Sequence, residues 1–196
     1  MRLLRIPAKA LSIAIYRVRH YGWRTTWTWL WTRLFMWTMG REVARYSRIT
    51  PQLWVGGQMR ARGWRWLMAR GITATVNLRA EHDDRVHGVP VEGYLWLPTQ
   101  DDDAPRPEHF QAGVQFIARV IAQGGAVYVH CASGVGRAPT LAAAYLISTG
   151  MSVEQALETI RRVRPFIKPT PPQLSALHRF AENHHRRPAT ARAHTP

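Results

Sequence analysis

The stretch around residues 126–150 limits the possible folds of this chain more than any other part of the sequence. A short apolar run, Ala126–Val129, follows two glycines and leads directly into His130. A loop with two further glycines comes next. A helix is then expected from Arg137 to Ser148, with a glycine soon after its end. This order predicts a strand, a tight loop and a helix in immediate succession.

The rest of the chain supports an α/β domain, because β-branched and apolar runs alternate with helical patterns. The further predicted strands are Gln52–Val55, Thr73–Leu78 and Tyr94–Leu97. The other predicted helices follow Gly57, begin at Pro107, or follow the capping patterns Ser152-x-x-Gln155 and Thr170-x-x-Gln173. Strands that alternate with helices predict a central, mainly parallel sheet flanked by helices.

The predicted loop carries a Cys-x5-Arg spacing, from Cys131 to Arg137. Its glycines allow backbone N–H groups to turn inward and bind an anion. The positive end of the following helix adds to that potential, and such surroundings favour a reactive thiolate. An arginine supplies a planar fork that matches two phosphate oxygens. We therefore expect Cys131 to act as a nucleophile and Arg137 as a phosphate clamp.

The expected phosphate-binding residues are Ala132, Ser133, Gly134, Val135, Gly136 and Arg137, with His130 supporting the loop. The stretch from Val127 to Thr140 resembles the signature of the dual-specificity branch of the protein tyrosine phosphatase superfamily. The resemblance extends from about Ser47 to Phe180 and includes Arg48–Gly57 and Arg164-Pro165. Within that branch the chain looks most like the compact group that contains the mitochondrial phosphatase for phosphatidylglycerophosphate and its bacterial relatives. The resemblance implies hydrolysis through a phosphocysteine, without a cofactor.

An acid is also needed, because the leaving alkoxide or phenoxide must be protonated. The stretch from Thr99 to Pro105 contains three consecutive aspartates after a predicted strand. The resemblance implies that the acid lies in this loop and that Asp101 matches its position best, with Asp102 and Asp103 as alternatives. The competing interpretation is a solvated acidic loop that only caps the following helix.

One residue departs from the family pattern, which usually has Ser or Thr directly after the loop arginine. This chain has Ala138 there. The resemblance implies that the missing hydroxyl slows breakdown of the phosphocysteine without changing the identity of the nucleophile. Ser133, within the loop, is a candidate to substitute for it in part.

A second acidic stretch holds residue types that bind metals but lacks a recognised metal-binding spacing. Its residues are Glu81, His82, Asp83, Asp84 and His87, and we expect them to form a solvated loop. Arg79 is expected to form a surface or structural ion pair. We expect no bound metal and no cofactor.

Residues 1–45 differ in composition from the expected phosphatase domain, residues 46–182, and from the polar tail, residues 183–196, which is expected to be disordered. The first 45 residues contain nine basic side chains against one acidic one, and five of the nine tryptophans. No apolar run is long enough for a signal peptide or a spanning helix. Helical spacing of Trp23, Trp27 and Trp31 predicts an amphipathic helix in a membrane interface. The alternative is a helix packed on the domain or on a partner.

Several functions are compatible with these features. The leading expectation is hydrolysis of a phosphomonoester on a phosphoprotein or on a phospholipid headgroup such as phosphatidylglycerophosphate. The alternatives are a catalytically weak phosphate-binding membrane adaptor and a rhodanese-like sulfurtransferase. The net charge of +15 favours anionic partners, but no basic helix or stacking platform of a nucleic-acid binder is recognisable. A single cysteine excludes an intramolecular disulfide, and we expect an intracellular, cytoplasmic protein that is peripheral on the membrane.

Overall fold

The computed structural model describes residues 46–87 and 93–186, together with the single positions 18, 19, 22, 23 and 27. Within these residues the strands are β1 (Ser47–Arg48), β2 (Leu53–Gly56), β3 (Ala74–Arg79), β4 (Tyr94–Thr99) and β5 (Val127–His130). The helices are α1 (Ala61–Met68), α2 (Pro107–Ala122), α3 (Arg137–Ser148), α4 (Val153–Val163) and α5 (Pro171–Arg186). A 3-10 turn spans Asp84–His87.

The strands form one sheet in the order β1-β2-β5-β3-β4. Strands β2, β5, β3 and β4 are parallel, and only the short β1 runs antiparallel to its neighbour. The α/β fold with a mainly parallel sheet is therefore confirmed. Because β5 lies in the centre, its carboxyl end emerges between the carboxyl ends of β2 and β3. Polar side chains that follow these strands meet at this edge of the sheet.

Helix α3 forms the centre of the apolar core. Ten of its twelve residues are buried, and most of them are small or aliphatic. Three consecutive alanines, Ala142–Ala144, are fully buried in the main core cluster together with strand residues of the sheet. Close packing on both sides leaves α3 little freedom to move, so Arg137 at its first turn has a fixed position relative to β5.

The boundaries of the remaining elements agree with the sequence within a few residues, and one cap differs. The capping box at α4 is present: Gln155 N donates to Ser152 Oγ, and Ser152 N donates to Gln155 Oε1. At α5 only half of the box forms. Thr170 N donates to Gln173 Oε1 at 3.0 Å, but the Thr170 hydroxyl donates to the carbonyl of Asp102 at 2.7 Å. That hydroxyl holds a neighbouring loop instead of the helix end.

The two terminal segments are described only in part. Helix α5 continues to Arg186, beyond the predicted start of the disordered tail, and residues 187–196 lie outside the described residues. At the other end, positions 18, 19, 22, 23 and 27 are helical, and Val18, Trp23 and Trp27 are exposed. The rest of residues 1–45 lies outside the description, so the amphipathic helix stays a prediction. Of the helices described, none combines the length and apolar character needed to cross a membrane.

Candidate active site

Cys131 lies directly after the central strand and is buried, with 3% of its surface exposed. The loop folds back over the sulfur, so that Gly134 N donates to Cys131 Sγ at 3.2 Å. Gly134 adopts a positive φ of 65°, and a Cβ there would lie 2.4 Å from the backbone of Gly56. Only glycine satisfies both conditions, and this explains why the loop can wrap tightly around the sulfur.

Arg137 begins α3, and its side chain is 1% exposed. Its guanidinium donates to both carboxylate oxygens of Glu81, at 3.0 and 3.3 Å, and to the carbonyl of Thr99 at 2.8 Å. Burial favours the neutral form, but the bond with Glu81 and the charges of Cys131, Asp101 and Glu81 raise the pKa of Arg137 above its ordinary value. The guanidinium is therefore a permanent cation that these contacts hold in one orientation.

Glu81 is the main addition to the sequence prediction, which placed it in a solvated loop: its side chain is 41% exposed, and it also pairs with two arginines. It follows the carboxyl end of β3, where its carboxylate receives bonds from Arg137 and from Arg79 Nε at 2.8 Å. Burial raises the pKa of Glu81, but hydrogen bonds from Arg137, its own backbone N–H and Arg79 outweigh burial and lower the pKa to about 2. Glu81 thus holds the guanidinium of Arg137 in place. Arg79 forms the expected structural ion pair.

The acidic loop approaches Arg137 from the end of β4. Asp101 Oδ1 lies 2.9 Å from Arg137 Nη2, although 76% of the Asp101 side chain is exposed. Asp102 and Asp103 are fixed through their backbone carbonyls instead: Thr170 Oγ1 donates to Asp102 O, and Gln173 Nε2 donates to Asp103 O at 2.9 Å. Of the three carboxylates, the ion pair to Arg137 is formed by Asp101. Its role as the acid remains a prediction.

His130 is fully buried directly before Cys131, and its Nε2 lies 2.7 Å from Asp84 Oδ2. Its ring stacks on Tyr128 and meets the edge of Trp64. The prediction of a solvated loop is therefore wrong for Asp84, which has no exposed surface. The cause is again the parallel sheet, which brings the residues after β3 beside the end of β5.

Two other residues of that acidic stretch, Asp83 and His82, have described side chains. Asp83 is bound by Arg85, whose hydrogen bonds contribute most to lowering the pKa of Asp83 to about 2. His82 is half-buried, and the side chain of His87 lies outside the described residues. In the ranges that the structure describes, no group of three or more His, Cys, Asp or Glu residues could hold a metal ion.

A second buried arginine, Arg164, supports the loop through its carbonyl groups. Arg164 has no exposed surface and donates to the carbonyls of Gly134 at 2.6 Å and Ser133 at 2.9 Å. The backbone N–H of Lys168 donates to the carbonyl of Val135 at 2.8 Å. These donors engage the loop carbonyls from outside the loop, while the N–H of Gly134 points to Cys131 Sγ.

Residues 53–183 match the family model for the dual specificity phosphatase catalytic domain. The chain belongs to the dual specificity phosphatase family. It is 33% identical over 127 residues to dual specificity protein phosphatase 5 of Rattus norvegicus, which covers 62% of this chain and 32% of the relative. It is 32% identical over 130 residues to dual specificity protein phosphatase 14 of Mus musculus, which covers 65% of each chain. The chain thus spans less than two thirds of the length of these relatives.

Solved structures of this family have the same fold. PTPMT1 is 30% identical with a TM-score of 0.66, and the match covers 76% of this chain and 98% of that one. Human DUSP28 is 25% identical with a TM-score of 0.64, covering 71% and 97%. A further PTPMT1 structure, 27% identical with a TM-score of 0.63 and covering 74% and 97%, is a complex with PI(5)P. The predicted membership of the dual-specificity branch is confirmed.

Ala138, where this family usually has a hydroxyl, is fully buried behind the loop. No side-chain hydroxyl can therefore reach the sulfur from this position. The donor that does contact Cys131 Sγ is the backbone N–H of Gly134. The groups that can stabilise charge on this sulfur are therefore the backbone of the loop and the helix end.

We predict that Glu81→Gln lowers stability in a pH-dependent way. The folded-state pKa of about 2 lies below the ordinary 4.5, so the stabilisation is complete above pH 4.5 and is lost as the pH falls from 4.5 toward 2. The loss should be about 1 kcal/mol at pH 7, because water screens this 41% exposed side chain. Urea unfolding at pH 7, 5 and 3 measures it, with Glu158→Gln on α4 as a control. A gap between wild type and Glu81→Gln that stays constant with pH would contradict the prediction.

We also predict that Asp101→Asn slows hydrolysis of alkyl phosphates about 100-fold or more, and hydrolysis of activated aryl phosphates far less. Only the poor leaving group needs a proton in the transition state. Steady-state rates for one substrate of each kind measure the difference. Asp102→Asn and Asp103→Asn serve as matched controls. If Asp103→Asn shows this dependence and Asp101→Asn does not, the acid has been assigned to the wrong aspartate.

Proposed function

We propose that this chain hydrolyses phosphomonoesters through a phosphocysteine intermediate on Cys131. The observation that carries the proposal is the placement of buried Cys131 and buried Arg137 at opposite ends of one loop at the start of α3. The loop offers backbone donors and a helix end to an anion, and Arg137 offers a fixed cation. Membership of the dual specificity phosphatase family supports this chemistry and argues against the sulfurtransferase alternative.

In the proposed reaction, the Cys131 thiolate attacks phosphorus and the bond from phosphorus to the ester oxygen breaks. Asp101 gives its proton to the leaving oxygen, and Arg137 with the loop N–H groups stabilises the charge on the equatorial oxygens. Asp101 then takes a proton from water, which attacks phosphorus and releases inorganic phosphate and the thiolate. His130 holds the loop and transfers no proton.

Because Asp101 is ion-paired with Arg137, a substrate phosphoryl group must compete with the Asp101 carboxylate for the guanidinium in the first step of the proposed reaction. Asp101 Oδ1 lies on Nη2 at 2.9 Å, a donor that a phosphoryl oxygen would also use. A bound phosphoryl group would therefore displace the carboxylate from the arginine. The displaced carboxylate, no longer paired with a cation, takes up a proton from solvent and then turns toward the leaving oxygen as the acid. Its 76% exposure means that little packing opposes this movement.

For the substrate, we propose a phospholipid headgroup that carries a single phosphomonoester, at an anionic membrane surface on the intracellular side. The PTPMT1 relative was solved in complex with PI(5)P, and residues 1–45 carry nine basic side chains and five tryptophans. The curated relatives are protein phosphatases by name, so a phosphoprotein is the competing substrate. A polyphosphorylated headgroup is disfavoured because residues 132–136 have no basic side chain.

A second candidate is a phosphate-binding membrane adaptor with weak turnover. The observation in its favour is Ala138, which removes the hydroxyl that eases breakdown of the phosphocysteine in the family. The two functions share the binding step and differ in the release of phosphate. A rapid burst followed by very slow turnover would favour the adaptor.

The test of hydrolysis is phosphate release by purified full-length protein from phosphatidylglycerophosphate, phosphoinositides and phosphopeptides. Cys131→Ser should abolish release from every substrate and still bind vanadate, because the loop and Arg137 remain. Arg137→Ala should weaken both vanadate binding and turnover. Phosphate release by Cys131→Ser at the wild-type rate would reject the proposed nucleophile.

We predict that membrane binding depends on the N-terminal extension. Removal of residues 1–40 should abolish sedimentation with anionic vesicles at low salt and reduce activity on lipid substrates, because each basic residue near the surface contributes about 1 kcal/mol. Hydrolysis of a soluble aryl phosphate should persist. In the full-length chain, replacing the exposed Trp23 and Trp27 with alanine should weaken vesicle binding that salt alone does not remove. If full-length protein stays in the supernatant at low salt, the membrane proposal is wrong.

A further inference from the structure

Two fully buried ionisable side chains stand behind the candidate active site, and the proposed reaction uses neither of them for proton transfer. His130 Nε2 and Asp84 Oδ2 are 2.7 Å apart, and neither side chain has exposed surface. Buried ionisable groups are retained at a considerable cost in desolvation, and such pairs can serve to fix one arrangement of the groups around them. His130 of this pair directly precedes Cys131, so the groups that the pair holds in place include the nucleophile.

The contacts of Asp84 continue away from His130. The other carboxylate oxygen, Asp84 Oδ1, accepts a short hydrogen bond from Gln58 Nε2. The same amide turns its oxygen to Arg79, whose Nη1 donates to Gln58 Oε1 at 3.0 Å. The backbone N–H of Gln58 donates to the carbonyl of Ala132 at 3.1 Å, so this residue also holds the phosphate loop directly.

From Arg79 the contacts reach the phosphate clamp. Arg79 Nε donates to Glu81 Oε1 at 2.8 Å, and the Glu81 carboxylate accepts from both terminal nitrogens of Arg137. His130 and Arg137, which flank the loop of Cys131, are thus joined a second time through four side chains. We call the closed circuit of Asp84, Gln58, Arg79 and Glu81, with the loop from His130 to Arg137, the polar ring.

We propose that Asp84 is a positioning residue that couples the nucleophile to the arginine clamp through the polar ring. This inference rests on the proposed function of the same site. The link from His130 to Asp84 is a close polar contact without hydrogen-bond geometry, and the remaining links of the ring are hydrogen bonds. Such contacts in one network reinforce one another, and misplacement of a distant support can weaken a site by orders of magnitude. A substitution at Asp84 is therefore expected to shift the position of the Arg137 guanidinium, although the contacts between the two residues pass through Gln58, Arg79 and Glu81.

The test is a double-mutant cycle of Asp84→Asn and Glu81→Gln in the full-length protein, measured as the dissociation constant of orthovanadate by calorimetry. Coupling predicts that Asp84→Asn alone weakens vanadate binding at least about fivefold. It also predicts that the double variant binds at least about threefold more tightly than the product of the single effects allows. An unchanged dissociation constant in Asp84→Asn, or single effects that multiply to within about twofold, would overturn the proposal.

Asp83→Asn is the matched control, because it removes the same charge from the preceding residue, whose carboxylate accepts from Arg85 and from the hydroxyl of Tyr94 and contacts none of the four ring side chains. It should leave vanadate binding within about twofold of wild type, and its effect should multiply with that of Glu81→Gln. If Asp84→Asn does not fold, Gln58→Met replaces it in the cycle. That variant opens the ring between Asp84 and Arg79 without removing a charge, and the same excess over the product is expected.

Failure of this inference is distinguishable from failure of the proposed function. Vanadate binding needs the loop and the clamp but no turnover, whereas phosphate release tests hydrolysis. Additive effects in a protein whose phosphate release depends on Cys131 would contradict the polar ring alone. Coupled effects in a protein that releases no phosphate would support the ring and contradict hydrolysis.

Discussion

The buried guanidinium of Arg137 is the charge on which the arrangement of the site depends. A cation that is 1% exposed requires partners that replace its hydration, and they come from the ends of two neighbouring strands. Glu81 follows β3, whereas Thr99 and Asp101 lie at the end of β4. The same bonds that keep the guanidinium charged therefore hold the ends of β3 and β4 next to the start of α3, at the edge of the sheet where Cys131 lies.

The loop itself has no regular backbone pairing, so its carbonyl groups need donors from elsewhere. The carbonyls of residues 132–135 all find them: Gln58 N, Arg164 and Lys168 N supply these donors from outside the loop. With the carbonyls engaged outside, the N–H groups are left to face the sulfur, as Gly134 N does. The conformation of the loop thus depends on donors that lie far away in the sequence, Arg164 above all.

Features that neighbouring residues determine could be predicted from the sequence, whereas features that depend on contacts between distant segments could not. The strand, the loop with Cys131 and the helix from Arg137 are encoded by neighbouring residues, and they were predicted with nearly correct boundaries. Glu81 and Asp84 were missed because their importance comes from strand order, which places the end of β3 beside β5. The available signal was their position directly after a predicted strand, since the carboxyl ends of parallel strands share one edge.

The carboxylates around Arg137 limit which anionic group can bind at Cys131, whereas the net charge of the chain affects its attraction to anionic surfaces in general. The chain as a whole carries a net charge of +15, yet residues 132–136 have no charged side chain, and Glu81 and Asp101 offset the charge of Arg137. In the proposed reaction, a phosphoryl group binds Arg137 Nη2 only by displacing Asp101. The exposed carboxylates of Glu81 and Asp101 would repel further phosphate groups nearby. Long-range attraction to anionic surfaces must come from other basic residues, such as the nine in residues 1–45. In the proposed function, the chain is therefore drawn to a highly charged surface and still favours a single phosphomonoester at Cys131.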